Sequence, residues 1–112
     1  MADELDPREF LVQNKILKVD RTEALKKDIL EWAEVYGLEH DLRFFTFEEW
    51  KNIGGRFGER TVLNIRLLSG TAIDVFEGEY GRGIVEKFDE LVKANHFHYV
   101  RGTSSSIHFY PD

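Results

Sequence analysis

The chain has 112 residues, 42% of them hydrophobic and 13% aromatic, which suits one folded domain and excludes a disordered segment, since such segments lack the apolar groups that offset ordering entropy. Fifteen basic residues face twenty-one acidic ones, a net charge of −6, so a nucleic-acid backbone is repelled at long range and a basic protein is the favoured charged partner. The absence of cysteine excludes disulfides, thiolate nucleophiles and cysteine-ligated zinc.

No apolar run approaches the roughly 20 residues of a membrane helix. The opening Met1-Ala2-Asp3-Glu4-Leu5-Asp6 has no basic and apolar leader. The expectation is a soluble cytoplasmic protein with no membrane partner.

Taken in chain order, Asp6-Pro7-Arg8-Glu9 has the composition of a helix start, with Asp6 as cap and Pro7 in the first turn. The run from Phe10 to Val19 fits a short helix or, by the parity of Phe10, Val12 and Ile16, a strand. Asp20 to Gly37 is the clearest element. Asp20 and Glu23 form a capping box, and Leu25, Ile29, Trp32, Ala33 and Tyr36 follow helical spacing up to a glycine stop. Leu42 to Phe45 reads as a strand. Thr46-Phe47-Glu48-Glu49 opens a short helix with Phe47 and Trp50 inward, ended by Gly54-Gly55.

Thr61 to Phe76 reads as a hairpin around a Leu68-Ser69-Gly70 loop, with Gly70 at positive φ. That register buries Leu63, Ile65, Ile73 and Val75, and exposes Asn64, Arg66 and Asp74 on the other face. After the loop from Gly78 to Gly83, a helix buries Ile84, Val85, Phe88, Leu91 and Val92, with Asn95 as a left-handed cap. His96 to Arg101 and Ser106 to Tyr110 form a second hairpin. The whole is a single α+β domain over residues 1–112: two layers, with a mostly antiparallel sheet of about four to five strands and helices on one face.

Four constellations could carry chemistry. His96 and His98 share strand parity. If Phe97 and Tyr99 pair with Phe109 and Ile107, His98 falls opposite His108, and three imidazoles share an exposed face with Tyr110. Such a group could ligate zinc, but no carboxylate is placed to orient the rings, so an interaction surface of His96, His98, His108 and Tyr110 is the favoured reading and no metal is expected. Arg66 and Asp74 on the first hairpin could orient a small polar ligand.

Gly81, Arg82 and Gly83 lie in a loop expected to link a strand to a helix, where backbone N–H groups can hold a pyrophosphate. The wording Glu79-Tyr80-Gly81-Arg82-Gly83-Ile84 resembles the coenzyme A loop of the Gcn5-related acetyltransferase family, and Ile107-His108-Phe109-Tyr110 resembles that family's later segment. The resemblance implies acyl-coenzyme-A binding, with Tyr110 as general acid. The sequence departs from the family at Gly78, where an arginine or glutamine is expected. Gly55-Arg56-Phe57-Gly58 is similar to the Gly-x-x-Gly of KH domains, but the strand-like run after it and the acidic balance oppose nucleic-acid binding.

The expectation is a non-enzymatic protein-binding or self-associating module of inhibitor or immunity type, binding a protein partner or forming a homodimer, with no cofactor. The alternative is a small-ligand or acyl-coenzyme-A enzyme. A concave pocket with convergent polar groups would favour the alternative.

Overall fold

The computed structural model describes residues 7–55 and 61–112, with the backbone alone for residues 7–20. The expected cap at Asp6 and most of the Gly55–Gly58 motif lie outside the described residues.

Helix α1 spans Pro7–Val35. It runs through Asp20, where the sequence suggested a fresh start. Nothing between Arg8 and Tyr36 is glycine or proline, and an interior aspartate costs less than about 1 kcal/mol relative to alanine, so a cap-forming residue is not enough to break the helix. Gly37 does end it. With φ of 71° it lets its own N–H reach Glu34 C=O (3.2 Å) and the Leu38 N–H reach Ala33 C=O (2.8 Å), the paired bonds of a Schellman cap.

Four strands follow the order β1-β2-β4-β3, all antiparallel: β1 (Leu42–Phe45), β2 (Leu63–Leu67), β3 (Phe97–Arg101) and β4 (Ser106–Pro111). Between them lie α2 (Phe47–Asn52), α3 (Gly70–Phe76) and α4 (Arg82–Ala94). The chain is therefore α+β, with four strands among the described residues. Helix α2 carries the expected capping box: Thr46 Oγ1 accepts from Glu49 N–H and Glu49 Oε1 accepts from Thr46 N–H.

The first expected hairpin does not form. Ser69 caps α3, its hydroxyl accepting from the Ala72 N–H at 3.1 Å, and Gly70 opens the helix without positive φ. Strand β2 instead pairs with β1 on one side and β4 on the other, with Ile65 opposite both Phe44 and Ile107. The inside-outside pattern largely survives. Leu63, Ile65 and Val75 are buried, Ile73 is half-buried, and Arg66 and Asp74 are exposed. Asn64, however, is buried, because it meets His108 on a covered part of the sheet.

One sheet face carries Leu63, Ile65, Leu67, Phe97, Ile107 and Phe109 against Leu25, Ile29, Trp32 and Ala33 of α1, Ala72 and Val75 of α3, and Phe88 and Val92 of α4. Phe88 is the hub, with rings of Trp32, Phe76, Tyr99 and Phe109 within about 6 Å; a buried phenylalanine of this kind is worth about 3–5 kcal/mol against alanine. Arg21 closes the core at the end of α4, donating to the carbonyls of Asn95 and His96. The left-handed residue at that turn is His96, φ 65°, and not Asn95, whose side chain instead bonds Asp28 and the Leu91 carbonyl.

Candidate functional site

The second sheet face carries Arg43 and Phe45 of β1, Asn64 and Arg66 of β2, His98 and Val100 of β3, and Ser106, His108 and Tyr110 of β4, by the alternation of each strand in its observed register. Helix α2 covers half of it. The Trp50 ring meets Phe45 at 5.6 Å and His108 at 5.2 Å, edge-on in both cases. Beneath Trp50 runs a chain of buried polar groups.

His108 is 1% exposed, Asn64 0% and Ser106 2%. Asn64 Nδ2 donates to Thr61 Oγ1 at 3.0 Å, which leaves Asn64 Oδ1 as acceptor for His108 Nδ1–H at 2.7 Å. A neutral imidazole protonated at Nδ1 accepts at Nε2, so the Ser106 hydroxyl, 3.1 Å away, donates to Nε2. Ser106 Oγ in turn accepts from Thr103 N–H (2.9 Å) and Thr103 Oγ1 (3.1 Å). Burial holds the His108 pKa below the usual imidazole value, because a charged ring loses solvation there. The line Ser106–His108–Asn64 thus has a hydroxyl, a neutral base and a group that fixes the base's tautomer, the arrangement that activates a nucleophile.

Gly102 is the residue that permits this packing. A Cβ there would stand 2.3 Å from His108 Nε2 and 2.8 Å from Ser106 Oγ. The loop after it is held in place: Arg101 donates to Ser104 C=O at 2.7 Å and pairs with Glu77 at 3.2 Å, while Ser105 N–H donates to Thr103 Oγ1.

Beside this line a cleft of about 300 Å³ opens between the end of α2 and the hydroxyl loop, walled by Trp50, Ile53, Gly54, Gly55, Arg66, Thr103, Ser105 and Ser106. Arg66 sits opposite Arg43 across β1–β2. Like charges directly opposite repel. Arg43 rests over the Phe45 ring at 5.3 Å, and neither arginine has a carboxylate within ion-pair distance among the described residues. The cleft therefore combines the exposed Arg66 guanidinium, three hydroxyl side chains and an apolar wall.

The sequence-expected site residues disperse. Arg66 and Asp74 lie on β2 and α3 and do not meet as cross-strand neighbours. Gly81, Arg82 and Gly83 belong to the turn from α3 into α4, with Gly81 as N-cap and Arg82 and Gly83 in the first turn. A helix, not a strand, precedes that turn, so the strand-to-helix setting implied by the acetyltransferase resemblance is missing.

His98 pairs with Tyr110 and Val100 with His108, a slip of two residues from the expected register. A two-residue slip preserves parity, so the faces are as expected while the three imidazoles are not brought together. His108 is buried, His96 lies before the strand, and among the described residues no group of three or more His, Cys, Asp or Glu could hold a metal. His98 and Tyr110 do form an exposed unit, their rings stacked at 5.5 Å and 17°, with His98 Nδ1 2.8 Å from Asp112 Oδ1.

Sequence reasoning missed Ser106 as His108's partner and Trp50 as the cover of the second face. The first was signalled by Ser106 and His108 standing two apart on one strand. No helix among the described residues is long and apolar enough to cross a membrane. No family model, curated protein or solved structure matches the chain.

Proposed function

We propose that the chain is a binding protein for a small molecule carrying an oxyanion, carboxylate or phosphate, held in the cleft between α2 and the Thr103–Ser106 loop. The observation that carries this reading is Arg66: a guanidinium on the cleft wall, faced by a second arginine and by hydroxyl donors, with no carboxylate partner among the described residues. Guanidinium binds carboxylate and phosphate through paired charge-assisted hydrogen bonds. The aromatic wall of Trp50 suits the apolar part of such a ligand. Thermal-shift titration with phosphate, citrate and a benzoate should raise the melting temperature of the wild-type chain with at least one of them, since a ligand of the native state stabilises by mass action. Arg66→Gln should weaken that ligand at least tenfold; unchanged binding in the variant would remove the reading.

A second reading is association with another protein or a second copy through β3. The bonds Gly102 N–H to Ser106 C=O and Asp112 N–H to His96 C=O set the alternation of the β3–β4 ladder, so Phe97, Tyr99 and Arg101 turn their backbone groups outward along an open edge. Val100, 53% exposed, stands on the uncovered face beside His98 and Tyr110. For a second copy, light scattering should give twice the chain mass at high protein concentration, and Val100→Lys should return the monomer. A monomer throughout would rule out self-association.

A further inference from the structure

Ser106, 2% exposed, is among the residues that line the cleft, and the groups bonded to its hydroxyl are ordered as a nucleophile requires. We propose that Ser106 is a nucleophile with His108 as its base, and that the substrate is a carboxylic ester whose oxyanion end is held by Arg66. The assignment of the ester's position rests on the anion reading of the cleft; the assignment of the nucleophile does not.

Three geometric facts carry it. Ser106 Oγ lies 3.1 Å from His108 Nε2, within the range for proton transfer along a hydrogen bond. His108 Nδ1 lies 2.7 Å from Asn64 Oδ1, and because Asn64 Nδ2 is already given to Thr61, that oxygen holds the proton on Nδ1 and leaves Nε2 basic. Asn64 is thus a positioning residue.

The third fact concerns Thr103. Its single hydroxyl proton has two acceptors in reach, Ser106 Oγ at 3.1 Å and Ser105 Oγ at 3.4 Å. Turned toward Ser105, it releases a lone pair of Ser106 Oγ for attack, while the Thr103 N–H at 2.9 Å stays on the other.

The step is acyl transfer. Ser106 Oγ attacks the acyl carbon, and its proton passes to His108 Nε2. The acyl carbon–alkoxy oxygen bond breaks, and the departing alkoxide takes the Nε2 proton and leaves as an alcohol. Water then attacks the acyl-serine, giving its proton to Nε2. The acyl–Oγ bond breaks, Oγ recovers the proton, and a carboxylic acid leaves. The sum is ester plus water to acid plus alcohol, with no other reactant.

The test is labelling of the full chain with an alkyl fluorophosphonate, which phosphonylates an activated serine with loss of fluoride, read by intact mass and peptide mapping. The expected result is one adduct, on Ser106, in the folded wild-type chain and none in the urea-unfolded chain. Ser106→Ala should abolish it and His108→Gln should slow it at least tenfold, within the usual range for loss of a general base. Asn64→Asp, which keeps an acceptor facing Nδ1–H, should label at close to the wild-type rate, whereas Asn64→Leu should be at least tenfold slower. No adduct on the folded chain, an adduct on Ser104 or Ser105, or a rate indifferent to His108→Gln would overturn the proposal. The wild-type peptide map needs no variant to fold. Phosphate titration of the same sample separates the two claims: anion binding without an adduct leaves the cleft reading and removes the nucleophile, while an adduct without anion binding keeps the nucleophile and removes the role of Arg66.

Discussion

His108 shows how burial changes what a residue can do. As a strand histidine of known parity it was legible in the sequence; its surroundings were not. Its partner Asn64 is 44 positions away, and its cover, Trp50, looked like one more residue of the main core. The consequence is a pH dependence. Burial lowers the native pKa of His108 below the unfolded value of about 6.5. Below pH 6.5 the unfolded chain binds a proton that the native chain refuses, so stability falls with falling pH, by at most about 1.4 kcal/mol per unit, until the native pKa is reached. Above pH 6.5 this contribution is fully present. Thermal melts from pH 7.5 to 5 should therefore show a decline that His108→Gln removes. A decline of equal size in the variant would place its origin in other groups.

At the scale of elements, local chemistry was legible where it is dense, as in the capping box at Thr46 and Glu49 and the glycine stop at Gly37. It misled where two patterns fit one short run. Gly70 to Phe76 holds Ile73 and Val75, β-branched residues that favour strands, yet Ala72, Val75 and Phe76 also follow helical spacing, and seven residues are too few for periodicity to decide. Ser69 decides it. Its hydroxyl satisfies the Ala72 N–H, so the Leu68-Ser69-Gly70 run that suggested a hairpin loop leads into a helix. Ser69→Ala should cost about 1 kcal/mol in denaturant melts, and Ser69→Asp should restore it. Equal stability of Ser69→Ala and wild type would deny the cap its role. The error propagated to the site: without the first hairpin, β2 is free to pair with β4, and that pairing is what buries Asn64 against His108.

For the molecule as a whole, the order of helical and strand patterns indicated the α+β class, and strand alternation indicated the core face. The candidate site was hidden because it depends on a short helix folding back over the second face. That helix divides the face into a covered half, with the polar line and the cleft, and an open half, with His98, Val100 and Tyr110. Arg43 and Arg66 stand opposite each other across β1–β2, so an anion at Arg66, in the cleft proposed above, would relieve their repulsion. The measurement that tests this most directly is an amide and arginine side-chain NMR titration of the wild-type chain with phosphate at low ionic strength, repeated on Arg66→Gln. The expected result is saturable shifts at Gly54, Gly55, Arg66, Thr103 and Ser105, absent from the Tyr80–Arg82 turn and lost in the variant. Shifts confined to that turn, or the same shifts in Arg66→Gln, would contradict it.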